Sequence, residues 1–136
     1  MKIKIILLLG LFGVLMGFAT VYGLIINNEL LYWLFIYLVS AIVLAKTVKE
    51  KFFRNGFVLG FILSIAVSFI QIILFDEYLV NNPQLNNEMG KLPDSFEPKT
   101  FFMLIAPLIA IISGLIVGVF TTAFKRLFHK TENKIL

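Results

Sequence analysis

Ser68 and Gln71 stand three residues apart inside a long apolar run, a spacing that puts both on one side of a helix. Pro107, in another such run, has no amide hydrogen, so the carbonyl of Met103 loses its helical partner and a kink is expected there. Ser68, Gln71 and Pro107 form the candidate polar pocket. What they offer is hydrogen bonding, either to a neighbouring helix or to a ligand. Covalent chemistry finds less material, because the chain has no cysteine and its single histidine, His129, stands in a basic C-terminal segment. No serine, histidine and acid set can be assembled within the apolar runs, whose polar residues are Thr20, Tyr37, Ser40, Ser64, Ser68, Gln71, Ser113, Thr121 and Thr122. A proton-coupled pump needs a buried carboxylate or histidine, and the runs contain neither. Gly56 and Gly60 lack the lysine and helix start of a phosphate loop. Asp76, Glu77, Glu88, Asp94 and Glu97 fall in one segment without calcium-loop spacing and read as solvated acids. No catalytic residue, cofactor or metal site is expected.

The elements that would position these side chains are set by hydrophobicity. Of 136 residues, 60% are hydrophobic, more than a soluble domain of this length can bury. A helix needs about 20 apolar residues to cross about 30 Å of hydrocarbon. Runs 5–26, 55–75 and 101–124 meet that length, and the shorter run 30–45 meets it when extended to Glu29 and Lys46, whose charges reach the headgroups. The expected fold is all-α: an integral membrane bundle of four transmembrane helices at about 5–26, 29–46, 53–80 and 97–125. A 25-residue outer loop covers 76–100 and a tail covers 125–136.

Charge sets the threading. Ten of the twelve Lys and Arg lie before the first run, between the second and third, or after the fourth; six of the eight acids lie on the other side. Basic segments stay in the cytoplasm, so both termini are expected there, in a bacterial inner membrane. Tyr22, Tyr32, Trp33 and Tyr78 fall at the outer helix ends, where amphipathic rings prefer the headgroup level. The net charge of +4 is topogenic and attracts lipid; no nucleic acid is needed to explain it. Residues 1–19 also read as a signal peptide, with Lys2 and Lys4, an apolar core and a small-x-small site at Gly17 and Ala19. Cleavage would leave three crossings, although the run continues to Ile26, longer than a usual signal core.

Helices in lipid associate through close packing of small residues. Gly56, Gly60, Ser64 and Ser68 recur every fourth position on the third helix, and Ala106, Ala110, Gly114, Gly118 and Thr122 do so on the fourth, the GxxxG pattern. The first helix carries Gly10, Gly13, Gly17 and Thr20. The expected packing sets the third helix against the fourth, with the first completing the bundle and the second peripheral. The same faces would equally serve a contact between two copies of the chain.

Within the outer loop, Asn82 is a candidate cap for a short helix that starts at Pro83 and ends at Gly90. Leu85, Met89, Leu92 and Phe96 would lie toward the membrane. The run 51–60 (KFFRNGFVLG), the segment 76–83, the pair Ala106 and Pro107, and the run 114–118 (GLIVG) resemble a domain-of-unknown-function family of small bacterial four-helix membrane proteins. That resemblance implies the layout and no activity. The expected function is a noncatalytic structural or interaction component that assembles with itself or another membrane protein through its small-residue faces, in contact with membrane lipids. The alternative is a small transporter or channel subunit for a neutral or lipid-like substrate near Ser68, Gln71 and Pro107.

Overall fold

A computed structural model describes residues 2–25 and 27–135, without the side chains of 129 and 131–135. The side chain of His129, the histidine of the basic C-terminal segment, therefore lies outside the described residues. Among the described residues every regular element is a helix: α1 (Ile3–Val21), α2 (Glu29–Thr47), α3 (Phe52–Ile73), α4 (Phe75–Asn81), α5 (Pro83–Met89) and α6 (Pro98–Ile135). Among the described residues, α1, α2, α3 and the Pro98–Phe128 part of α6 are long and apolar enough to cross a membrane. The chain is thus all-helical, with four long apolar helices packed compactly, as a multi-pass membrane protein requires.

The helix ends differ from the hydrophobic runs, and local backbone chemistry explains why. α1 stops at Val21 although the apolar run continues to Ile26. Gly23 adopts φ 67°, its N–H donates to the Thr20 carbonyl at 3.1 Å, and the Leu24 N–H donates to the Ala19 carbonyl at 2.9 Å. This pair of bonds is the Schellman closure, which favours glycine because a Cβ is strained in the left-handed region. The long third helix expected at 53–80 is two helices. Leu74, at φ −102° and ψ 40°, leaves helical geometry after Ile73, and α4 begins at the next residue. The change of direction buries Phe75 and Tyr78, whose rings meet Phe102 of α6 at centroid distances of 5.9 and 6.0 Å.

α5 begins at Pro83 and ends at Met89, with Asn82 at its N-cap position and Gly90 at its C-cap position. The Asn82 side chain does not bond α5. Its amide donates instead to the carbonyls of Thr20 at 2.9 Å and Tyr78 at 2.8 Å. Asn81 likewise donates to the Val21 carbonyl at 3.1 Å. Carbonyls at a helix C-terminus have no partner within the helix, so these two amides close the end of α1. Of the remaining loop, Leu85, Met89 and Leu92 are half-buried, while Phe96, Asn86, Asn87 and Glu88 are exposed. α6 runs unbroken through Pro107 and continues past Lys125, so most of the expected tail is helix.

α3 and α6 share the largest interface; α1 packs on the other side of α3, and α2 packs mainly on α6. Near the end of the bundle that holds the N-terminus, Ile6 and Leu9 of α1, Leu44 of α2, Leu59 and Leu63 of α3 and Val117 of α6 form the apolar core. Toward the other end, α2 makes few contacts with α1 and α3, and the space between α2, α3 and α6 is not filled by side chains.

Candidate functional site

The small residues lie at the two closest helix crossings. A Cβ at Gly56 would stand 2.6 Å from Thr121 Oγ1 and 2.7 Å from the Val117 carbonyl oxygen, and one at Gly60 would overlap the Ser113 carbonyl. From the other side, a Cβ at Gly114 would meet the Phe57 carbonyl oxygen at 2.9 Å, and one at Gly118 would meet that of Phe53 at 3.0 Å. Ala110 is fully buried. On α1, a Cβ at Gly13 would stand 2.5 Å from the Leu63 carbonyl oxygen, and one at Gly17 2.9 Å from Ile70 Cβ. Backbones this close leave no room for a larger side chain at either crossing.

Ser64 and Ser68, further along the α3 face that holds Gly56 and Gly60, do not meet a close-packed partner. They line a cavity of about 320 Å³ enclosed by α2, α3, α4 and α6. Both residues are buried, and their hydroxyls bond no other described residue. The separation of α2 from α3 here is maintained by large side chains. Trp33 and Tyr37 of α2, Tyr78 of α4 and Phe102 of α6 all border the space. Leu30, Ile109 and Ile116 extend the lining to exposed apolar surface, so the cavity opens between α2 and α6.

Hydrogen bonds hold the cavity walls. Tyr37 donates its phenol to Ser113 Oγ at 2.7 Å, joining α2 to α6. Gln71 donates its amide to Thr20 Oγ1 at 2.9 Å, joining α3 to α1, and the Thr20 hydroxyl in turn donates to the Gly17 carbonyl at 3.0 Å. At the mouth, Trp33 Nε1 donates to Glu29 Oε1 at 3.3 Å. Burial pushes the Tyr78 phenol above its ordinary range, and the negative charge of nearby Glu29 pushes it further in the same direction.

Of the three residues of the candidate polar pocket, Ser68 and Gln71 line this cavity. Pro107 is exposed and lies outside the lining. It follows the buried Ala106, and the turn of about 100° per residue puts it on an exposed part of α6. Sequence reasoning placed Glu29 among headgroup charges and did not connect it with Trp33, Tyr37, Tyr78, Phe102 or Ser113. Only the i, i+4 spacings of Glu29 with Trp33 and Trp33 with Tyr37 carried a signal, since such pairs share a helix face. A metal centre finds no support: no group of three or more His, Cys, Asp or Glu suited to a metal ion occurs among the described residues.

No family model, curated protein or solved structure matches this chain.

Proposed function

We propose that the chain is a noncatalytic, multi-pass protein of a bacterial inner membrane, with both termini in the cytoplasm, that holds a lipid-like molecule in the α2–α6 cavity. It would serve as a small transporter, a channel subunit or a carrier of that molecule. One observation carries the reading: the apolar lining includes the unbonded hydroxyls of Ser64 and Ser68 and opens onto exposed apolar surface. Ligand sites combine apolar walls with a few fixed polar groups in this way, and cavities of about 300 Å³ and above fall in their size range.

Assembly through the small-residue faces is the second reading. The glycines of α1, α3 and α6 meet other helices of the same chain, where added side chains would collide. Ligand handling needs no further use of those faces, and it is therefore favoured over association of copies through them.

Native mass spectrometry of the protein released from lipid discs tests the choice. A single chain that retains a lipid or other amphipathic molecule, and loses it in Ser68→Phe, supports the proposal. A ligand-free homo-oligomer would replace it with assembly. For the threading, the cysteine-free chain allows single-site labelling at Glu88→Cys and Lys49→Cys. Glu88→Cys is expected to react from outside the cell, and external labelling of Lys49→Cys would reverse the topology.

A further inference from the structure

We infer that the ligand of the α2–α6 cavity carries an organic ammonium group, seated beside Glu29 among the surrounding aromatic rings, with its apolar chain lying toward Ile109 and Ile116. This rests on the reading of the cavity as a ligand site. Glu29 is partly buried, accepts one hydrogen bond from Trp33, and forms no ion pair with any described residue. A carboxylate has sites for about four hydrogen bonds, and one removed from bulk water is costly unless a cation or several donors accompany it. Standing in the first turn of α2, Glu29 gains from the positive end of that helix, but no cation among the described residues faces it.

The surrounding groups narrow the complement. Trp33 and Tyr37 lie with ring centroids 5.2 Å apart on α2, and Tyr78 and Phe102 lie 6.0 Å apart where α4 meets α6. The donors of Trp33 and Tyr37 are already engaged, by Glu29 and Ser113 respectively, so their ring faces are what they can offer a ligand. Ring faces attract cations, most strongly when water is excluded, and an ammonium group bearing carbon substituents presents both charge and apolar surface to them. An inorganic divalent ion fits poorly, because it takes six or more oxygen ligands and the lining has one carboxylate. An anion would face Glu29, and an uncharged ligand would leave that carboxylate without a counter-charge. The cavity, at about 320 Å³, suits a headgroup and the first part of a chain, with the remainder running out between α2 and α6.

Trp33 is the only tryptophan in the protein, so its fluorescence reports directly on this site. The full chain in uncharged maltoside micelles would be titrated with dodecyltrimethylammonium and with its uncharged isostere, in which carbon replaces the nitrogen. A saturable response is expected for the cation, about tenfold weaker for the isostere, reflecting the loss of ion-pair and cation–π attraction. Glu29→Gln keeps an oxygen that can accept from Trp33 while removing the charge, and is expected to weaken the cation about tenfold and leave the isostere unchanged. Equal binding of both probes, unaltered by Glu29→Gln, would overturn the ammonium assignment and leave the ligand cavity standing. Absence of saturable binding by either probe would overturn both. If Glu29→Gln fails to melt cooperatively, Phe102→Leu serves in its place, and a loss selective for the cation is again expected. A short-chain phosphatidylethanolamine that competes with the cation would identify a lipid headgroup as the source; failure to compete would identify a free amphipathic cation.

Discussion

The Tyr37 phenol donates to Ser113 Oγ at 2.7 Å and is the side-chain hydrogen bond that ties α2 to α6 at the inner part of the cavity. α2 makes few contacts with α1 and α3, so its attachment to α6 carries most of its support. Tyr37→Phe keeps the ring and removes the bond, and is expected to cost about 0.5 to 2 kcal/mol, the range for interhelical hydrogen bonds in lipid. Thermal unfolding in detergent measures it, and Ser113→Ala combined with Tyr37→Phe should cost little more than either change alone.

Gly60 and Gly90 provide a matched pair of substitutions. A methyl group at Gly60 overlaps the Ser113 carbonyl, whereas one at Gly90 would stand 3.5 Å from its nearest neighbour, the Asn86 carbonyl oxygen. Gly60→Ala is therefore expected to destabilise by about 1 to 3 kcal/mol as α3 and α6 move apart. Gly90→Ala should stay within about 0.5 kcal/mol of the parent protein. Gly60→Leu and Gly114→Leu should prevent recovery of a cooperatively melting protein, and normal melting of both would refute close packing at this crossing.

Asn82 separates two roles that a sequence alone would confuse. Were it capping α5, Asn82→Asp would be harmless, since both residues cap well. Its amide instead donates to the Thr20 and Tyr78 carbonyls, and a carboxylate there would face the negative end of α1. Asn82→Asp is expected to lower stability by about 1 to 3 kcal/mol and to exceed the loss in Asn82→Ala. Hydrogen exchange of the last turn of α1 would reveal the same ranking.

Lys51 occupies the left-handed region at φ 55°, immediately before α3. Such a conformation costs a non-glycine residue about 1 kcal/mol or more. Lys51→Gly should raise the melting temperature; a lowered one would mean that the lysine side chain contributes more than its backbone costs.

Tyr78 gives the bundle an alkaline limit. Its phenol ionises above its ordinary value of 10.0 because burial and Glu29 disfavour the anion. The unfolded chain releases that proton first as pH rises. Stability is thus whole below pH 10 and declines as the pH climbs toward the folded-state value. Tyr78→Phe should flatten that decline in urea or thermal unfolding between neutral and strongly alkaline pH.

Three of the four long helices were legible in the sequence as apolar runs of membrane length, and the second, a shorter run, became so once extended to the charges at its ends. Their ends were less so. Gly23 does mark the end of α1, but hydrophobic residues on either side concealed it; Leu74, where α3 gives way to α4, carries no glycine or proline to announce a break. Ser68 and Gln71 were visible as polar residues on a shared face. Glu29 was not visible as part of the same site, because its neighbours Tyr78 and Phe102 arrive from beyond α3 only after the chain has turned twice. Pro107 stood out for its chemistry, yet its helical phase turns it away from the cavity.

α6 is 38 residues long, and at about 1.5 Å per residue it measures about 57 Å, nearly twice the thickness of bilayer hydrocarbon. It forms a wall of the cavity near one end and continues as helix to Ile135 at the other. A continuous helix transmits tilt along its length. A rocking of about 10° around its midpoint would carry each end sideways by about 5 Å, a lever arm set by the helical rise. Were α6 to tilt when a molecule entered the cavity, the basic end of the helix would be displaced by that amount.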